Sequence, residues 1–318
     1  MKKKALLAAV AAAFVLTTAS NVFANPVELS GKFETQYRYN TSTEDGVDSN
    51  KDGFKSTFVL DAKTNVFQNV DLYARFAAQH ATIGADFFTG GKDTGAIDQF
   101  GFVVKGGNGF SYKIGRQDVS IGSTAIFYNS SPYLGRDAFA DGITVTGKSG
   151  VTDLKVVALK EDRDDSDARN KIYALSASYS PAKNWTVGGT VGKYDYADAA
   201  NEDTTHYAIN VGYDHGKASY FTELGKSDAD DLNKAVVLGV SYAPDAKNSF
   251  YVIYNKVEDN ADMNGWTDFE PGQKSMYYGF NHKVTKDATL KFFYKDNKDV
   301  EVSSEKQTSF RTTLSVKF

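Results

Sequence analysis

The sequence predicts an all-β fold: a transmembrane antiparallel up-and-down β-barrel of about sixteen strands. Three observations predict it. Apolar and polar residues alternate with period two along most of the chain, short and long connections take turns, and the chain stops on a bare strand, SFRTTLSVKF. In that strand Phe310, Thr312, Leu314, Val316 and Phe318 share one face, while Ser309, Arg311, Thr313, Ser315 and Lys317 share the other. An oily face carried to the last residue needs an apolar cover. In hydrocarbon an unpaired strand edge costs several kcal/mol per peptide group, so the last strand is expected to pair with the first and leave no edge.

The first strand shows the alternation most plainly. In VELSGKFETQYRY (27–39), Val27, Leu29, Phe33, Tyr37 and Tyr39 lie on one side, and Glu28, Ser30, Lys32, Glu34, Gln36 and Arg38 on the other. The pattern returns in Phe54/Ser56/Phe58/Leu60, Val70/Leu72/Ala74/Phe76, Phe110/Tyr112/Ile114, Tyr207/Ile209/Val211/Tyr213 and Phe250/Val252/Tyr254. Strands are expected at 27–39, 53–64, 70–79, 97–105, 110–117, 141–147, 151–160, 170–180, 185–195, 204–213, 217–226, 233–243, 248–257, 274–283, 288–296 and 306–318. Most have the roughly 9–11 residues that a tilted strand needs to cross a bilayer. The turns GGNG (106–109), PAKN (181–184), DHG (214–216) and PDAK (244–247) fall on one side, and longer acidic stretches on the other. Tyr179 and Trp185, Tyr213 and Tyr220, and Tyr242 and Phe250 bracket successive short turns, as an interfacial aromatic girdle requires.

The start of the chain reads as an export signal. Lys2, Lys3 and Lys4 precede an apolar run from Ala5 to about Leu16, and Val22-Phe23-Ala24 offers a cleavage site. Residues 1–24 are therefore expected to be a signal peptide and residues 25–318 the barrel, exported to the cell outer membrane. Without the three lysines the mature chain carries a net charge of about -7, which argues against nucleic acid. Cysteine is absent, which excludes disulfides and thiolate chemistry.

With sixteen strands, alternating turns and loops, and an aromatic C-terminal strand, the mature chain resembles the general, trimeric porins of Gram-negative outer membranes. KIGRQD (113–118) looks like that family's strand-five ending, and the irregular stretch 118–140 falls where the family folds a loop into the barrel. The resemblance implies a homotrimer, contact with lipopolysaccharide, recognition of Phe318 by the barrel-assembly machinery, and a constriction set by the inward loop. Two departures stand out. SPYLGRDAFADG offers Arg136 beside Asp137 and Asp141 where the family clusters acids, and Lys55 stands roughly where many porins carry arginine.

Sixteen strands enclose a lumen too wide for side chains to fill, so the expected function is passive diffusion of small hydrophilic solutes and ions. Inward positions carry Lys32, Arg38, Lys55, Lys63, Arg75, Lys105, Lys113, Lys155, Lys291, Lys295, Arg311 and Lys317 against Glu28, Glu34, Asp61, Asp71, Asp153 and Glu223. With Arg116 and Arg136 near the neck, this excess points to a modest anion preference that fades as salt rises. EDRDDSD (161–167), SDADD (227–231) and the stretch from Glu258 to Glu270 make an acidic outer vestibule. The residues expected to line the pore and its constriction are Lys32, Arg38, Lys55, Arg75, Lys113, Arg116, Arg136, Asp137 and Asp141. The apolar Ile121, Ala125, Ile126, Phe127, Tyr128, Tyr133, Leu134 and Phe139 anchor the loop inside the barrel or at its rim; an adhesive tip is the alternative.

Other constellations carry less. DSNKDG (48–53) copies the start of a calcium loop, but Val59 stands where the twelfth-position glutamate belongs, so a hairpin tip is the better reading. GGKDTG (90–95) lacks the strand-to-helix setting of a phosphate loop. His80, His206, His215 and His282 have no catalytic partner in view. No enzyme activity, cofactor or resident metal is expected. A substrate-selective channel for anions or sugars remains as an alternative, with inward Tyr73, Phe221, Tyr251, Tyr277 and Phe293 too scattered for an aromatic ladder, and an adhesin follows behind it.

Overall fold

A strand with one oily and one wet face can cross hydrocarbon only when its backbone groups are all paired, and closure of the sheet achieves this. The computed structural model describes residues 25–82, 93–130, 138–163, 169–302 and 304–318. The expected signal peptide, 1–24, lies outside the described residues. In chain order the strands are β1 (Glu28–Glu44), β2 (Val47–Phe67), β3 (Val70–Ala81), β4 (Asp93–Lys105), β5 (Ser111–Arg116), the two short pieces β6 (Ser120–Ile121) and β7 (Tyr128–Asn129), β8 (Ala138–Ser149), β9 (Thr152–Arg163), β10 (Lys171–Tyr179), β11 (Trp185–Asp195), β12 (Thr204–His215), β13 (Ala218–Ser227), β14 (Lys234–Tyr242), β15 (Asn248–Val257), β16 (Gln273–Lys283), β17 (Ala288–Asp299) and β18 (Lys306–Lys317). All but β6 and β7 join one closed barrel in which each strand pairs with its neighbours in the chain and β18 returns to β1. The sixteen-stranded antiparallel barrel expected from the alternation is the fold observed.

The seam explains the aromatic end of the chain. Arg38 stands opposite Arg311 and Phe33 opposite Val316. Beyond the last ladder pair the Phe318 amide donates to the Gly31 carbonyl at 3.1 Å, and the Gly31 amide donates back to Phe318 at 3.0 Å. A Cβ at position 31 would stand 2.6 Å from the Phe318 ring and 2.3 Å from the Val59 carbonyl, so only glycine admits the ring there. The ring then stacks against Phe58, centroids 5.9 Å apart. The terminal aromatic locks the closing strand to the first two.

Outward side chains form the expected apolar skin, and rings meet along the short turns in two runs: Trp185 to Tyr213 at 4.6 Å and Tyr213 to Tyr220 at 6.4 Å, then Phe250 to Phe280 at 4.7 Å and Phe280 to Phe292 at 6.1 Å between centroids. On the opposite rim β1 and β2 run on as a hairpin through Asp45 (φ 50°) and Gly46 (φ 75°), the two left-handed positions of a type I′ turn. DSNKDG is thus part of strand β2 near the tip, paired across to β1. Polar pairs such as Thr43 Oγ1 to Asp48 Oδ1 at 2.7 Å replace apolar ones along this arm. Among the described residues no group of three or more acidic, histidine or cysteine residues could hold a metal ion.

Candidate functional site

The lumen is unevenly filled. On the β9–β15 side, inward Val157, Leu159, Ile172, Ala174, Tyr194, Ala208, Ala235, Val237 and Val257 form an apolar wall inside a barrel whose opposite wall is charged. Burial of that wall requires a cover, and two connections supply it. The segment after β5 brings Ile121, Ile126, Phe127 and Tyr128 onto it, all at most 2 % exposed. The connection between β15 and β16, residues 258–272, folds in over them with Ala261, Met263, Trp266 and Phe269. Backbone bonds hold the two together: Met263 donates to the Phe127 carbonyl at 2.9 Å, Asn129 to the Trp266 carbonyl at 2.5 Å and Asp268 to the Ala125 carbonyl at 3.3 Å. The acidic reading of 258–270 as outer vestibule therefore needs correction. Its apolar residues Ala261, Met263, Trp266 and Phe269 are buried against the wall, and their removal from water favours the inward position.

Glu223 on β13 is the anchor. It is 0 % exposed and accepts three hydrogen bonds from the inward loop: from the Ser123 amide, the Thr124 amide and the Thr124 hydroxyl, each at 2.7 Å. Ala125 adopts φ 56° at the same bend. Lys155 holds the start of the loop by donating to the Ser120 carbonyl at 2.7 Å. His206, fully buried beneath, bonds the Ala261 carbonyl at 3.1 Å through Nδ1 and Thr204 at 2.9 Å through Nε2, with its ring 5.2 Å from Phe127. Its role is packing and support of the two segments. Alternation marks Glu223 as inward, but nothing local in the sequence reveals partners about a hundred residues away.

Arg75 leads the charged wall. It is clamped between Asp98 and Asp118, with contacts of 2.7 and 2.8 Å. Asp98 escapes the alternation because a bulge at Arg75/Phe76 shifts the register of β4 and turns this carboxylate inward. Lys32 pairs with Glu34 at 2.9 Å, and Glu34 also holds Lys291 at 3.1 Å. Lys113 reaches Gln99 at 3.3 Å and lies 4.8 Å above the Tyr73 ring. Arg38 and Arg311 face each other across the seam, with Lys55 on the next inward pair at Gln36 and the Arg311 guanidinium 4.9 Å from the Phe293 ring. Glu270, delivered by the folded connection, bonds Lys295 and Asn297 beside them.

Arg116 and Asp141 were expected at the constriction, and the structure puts them on the outside. Arg116 is opposite Phe100 and shares the face of exposed Ile114 and Phe102; it pairs with Asp141 at 2.8 Å and with Asp162, under the Phe139 ring at 4.4 Å. Phe139, expected to anchor the loop, goes outward with them. Period two already assigns Arg116 to the face of Tyr112 and Ile114; only the resemblance of KIGRQD drew it inward. Arg136 and Asp137 lie outside the described residues.

The aromatic residues that seem dispersed in sequence converge in space. Phe221, Tyr251, Tyr277 and Phe293, with Phe269 from the folded connection, line one side of a lumenal recess that also takes in Ser123, Thr124, Asn210 and Ser241. Tyr277 meets Phe293 edge-on at 5.3 Å. The Tyr251 and Phe221 rings lie flat over Gly279 and Gly239, where a Cβ would come within 2.0 and 2.1 Å. Strand pairing brings these four positions together, so the expectation of scatter fails for them, while Tyr73 stays apart on β3 beside Lys113.

One loop carboxyl gives the filled side a pH response. Asp262 is buried, accepts from the Gly265 amide at 3.2 Å, and burial pushes its carboxyl up to about 7. An acid whose folded value is raised stabilises its surroundings least when ionised. The packing of 258–272 is expected to be strongest below the ordinary carboxylate range and to weaken as pH rises through about 7. Hydrogen exchange in this segment, corrected for intrinsic rates, should speed up between about pH 4 and 7, and Asp262→Asn should flatten that dependence.

No family model matches the chain, and no curated relative matches it. Solved structures do. A double-tryptophan mutant of the Rhodopseudomonas blastica porin superposes with a TM-score of 0.59 at 13% identity, covering 92% of this chain and 100% of that one. A form of OmpT, an outer membrane protein of Vibrio cholerae, with its loop L8 deleted gives 0.60 at 13% identity, covering 93% and 100%. The fold is that of the sixteen-stranded outer-membrane porins.

Proposed function

We propose that the chain is an outer-membrane porin that lets small hydrophilic solutes and ions diffuse through the half of its lumen left open by the two inward segments. The observation that carries this reading is the uneven filling: an apolar wall covered by the loop after β5 and by 258–272, facing a charged wall that must be wet. An enzyme would need a positioned nucleophile or base, whereas Glu223 is engaged by the inward loop and His206 by the Ala261 carbonyl. Liposomes carrying the protein should swell in iso-osmotic solutions of small sugars, ever more slowly as the sugar grows. Swelling no faster than in protein-free liposomes would reject the proposal.

The passing ion meets Arg38, Lys55, Lys113 and Arg311 on the open side, with Arg75 neutralised by its two aspartates. This supports a modest anion preference, weaker than a count of wall charges implies, because Asp98, Asp118 and Glu270 join the acidic side. A second reading, a solute-selective channel, draws on the aromatic recess beside Arg311. Saturable block of the ion current by a solute with an apolar face and an anionic group would favour it.

A homotrimer is the proposed assembly, through the outward face of β1–β4. There Ala78 and Gly95 form a groove framed by Phe33, Phe58 and Phe76, and a row of facing polar residues crosses it: Thr35 to Ser56 at 3.1 Å and His80 to Asp93 at 2.5 Å. Lipid tails offer such groups nothing. Ala78→Trp should convert an unheated trimer to monomer on a semi-native gel, and an unchanged band would move the interface elsewhere.

A further inference from the structure

A wall that needs only to stay wet has no use for rings laid along it, yet the lumenal recess is tiled with them. Two neighbouring register rows make the tiling. One runs from Arg38 on β1 through Arg311, Phe293 and Gly279 to Tyr251 on β15. The next row toward the outer rim runs from Tyr277 on β16 through Ile253 and Gly239 to Phe221 on β13. Each glycine admits a ring from the adjacent strand: a Cβ at 279 would stand 2.0 Å from the Tyr251 ring, and one at 239 would stand 2.1 Å from Phe221. Any side chain there would lift the ring off the wall. With glycine in place the half-buried rings of Tyr251, Phe221 and Phe293 present faces to the lumen, and a π face is a stacking surface. Phe269 from the connection 258–272 completes the enclosure, 6.1 Å from Tyr277 between centroids. The recess measures about 690 Å³, the size of a small-molecule site.

Its two ends differ in charge. At one end the Arg311 guanidinium lies 4.9 Å from the Phe293 ring. Among the described residues it donates one hydrogen bond, from Nε to Ser309 Oγ at 3.2 Å, and forms no ion pair, so its terminal nitrogens are left to meet an anion from the lumen. Arg38 stands directly opposite and adds to the positive field. Glu270, one row away, is engaged by Lys295 and Asn297. The other end carries no cation: Ser123, Asn210 and Asp268 line it. An anionic solute is therefore held by one end and turned away from the other.

This pairing of surfaces selects a chemical class. A sugar stacks on the rings but leaves the guanidinium unused, and a small inorganic anion meets the guanidinium but leaves the rings wet. A planar ring bearing a carboxylate uses both. Arg311 on β18 and Tyr251 on β15 are three strand spacings apart, roughly 14 Å, so a single ring lies on the tiles while its carboxylate reaches the guanidinium. We infer that the recess is a binding site for small aromatic carboxylates, with the ring stacked on Tyr251 and Phe293 and the carboxylate on Arg311. The inference rests on the porin reading proposed above and gives its solute-selective form a ligand class.

The test records single-channel current through the full-length protein in a planar bilayer while 4-hydroxybenzoate is titrated in. Cyclohexanecarboxylate has the charge without the flat ring, hydroquinone the ring without the charge, and sucrose neither. 4-Hydroxybenzoate should reduce the mean current saturably, with the other three at least about tenfold weaker. Arg311→Gln and Tyr251→Leu should each weaken the block at least about tenfold, and Tyr251→Phe, which keeps the tile, should restore it. Equal block by cyclohexanecarboxylate would show that charge alone acts, equal block by hydroquinone or sucrose that stacking alone acts, and either overturns the class. Tighter block by adenosine monophosphate, a planar base with a phosphate, would assign the recess to nucleotides and also overturn it. Undiminished block in Tyr251→Leu would remove the tiles from the site. The probe series on the wild type decides the class even if a variant fails to fold. A barrel that conducts without saturable block sinks this site alone, whereas a chain that carries no current in the absence of any probe sinks the porin reading beneath it.

Discussion

Glu223→Ala is expected to free the inward loop and raise the mean single-channel current, with slow fluctuations between constricted and open levels. The carboxylate accepts three hydrogen bonds from Ser123 and Thr124 at 2.7 Å each. Hydrogen bonds to a charged group contribute about 1.5–3 kcal/mol apiece, and their removal also leaves two backbone amides unpaired beneath the loop. These bonds fix the bend at Ser123 and Thr124; without them the loop keeps its packing and its bonds to 258–272 and Lys155 but loses the anchor at its tip, so it should sample released states. The barrel itself, whose ladders do not involve this side chain, should unfold at an unchanged temperature. Glu223→Gln keeps an acceptor oxygen and should fall between the two. An alanine variant with wild-type current and noise would show that apolar packing alone fixes the loop.

Selectivity should respond to the seam. Arg38→Gln combined with Arg311→Gln removes two facing cations from the open wall while Glu270 and Glu34 remain. Under a salt gradient the reversal potential should move from weakly anion-selective to cation-selective, with the difference shrinking as ionic strength rises and the Debye length falls from about 10 Å at 0.1 M to about 3 Å at 1 M. The same exchange at Arg75 should change little, because Asp98 and Asp118 already neutralise it. If the Arg75 variant shifted selectivity more than the double variant, the passage would run along β3 and away from the seam.

Most of the barrel was legible because period two is a property of every strand crossing a bilayer, and the strand boundaries differ mainly where β1 and β2 extend beyond the membrane as a polar hairpin. The candidate site was legible where alternation holds and obscure where it breaks. A bulge beside Phe76 hid Asp98. Arg116 was misplaced by motif likeness although its own parity with Ile114 points outward. The stretch 258–272 was judged by its acids, and Met263, Trp266 and Phe269 decided its position. The hold of Glu223 on the inward loop spans the lumen, and the aromatic recess forms only when neighbouring strands lie side by side, which no window on the chain displays.

The most direct measurement is the current through a single purified, folded protein inserted in a planar bilayer. A water-filled lumen narrowed by two inward segments predicts discrete, ohmic steps that persist without any added solute. A barrel that inserts, resists unfolding in detergent and yet carries no measurable current would contradict it.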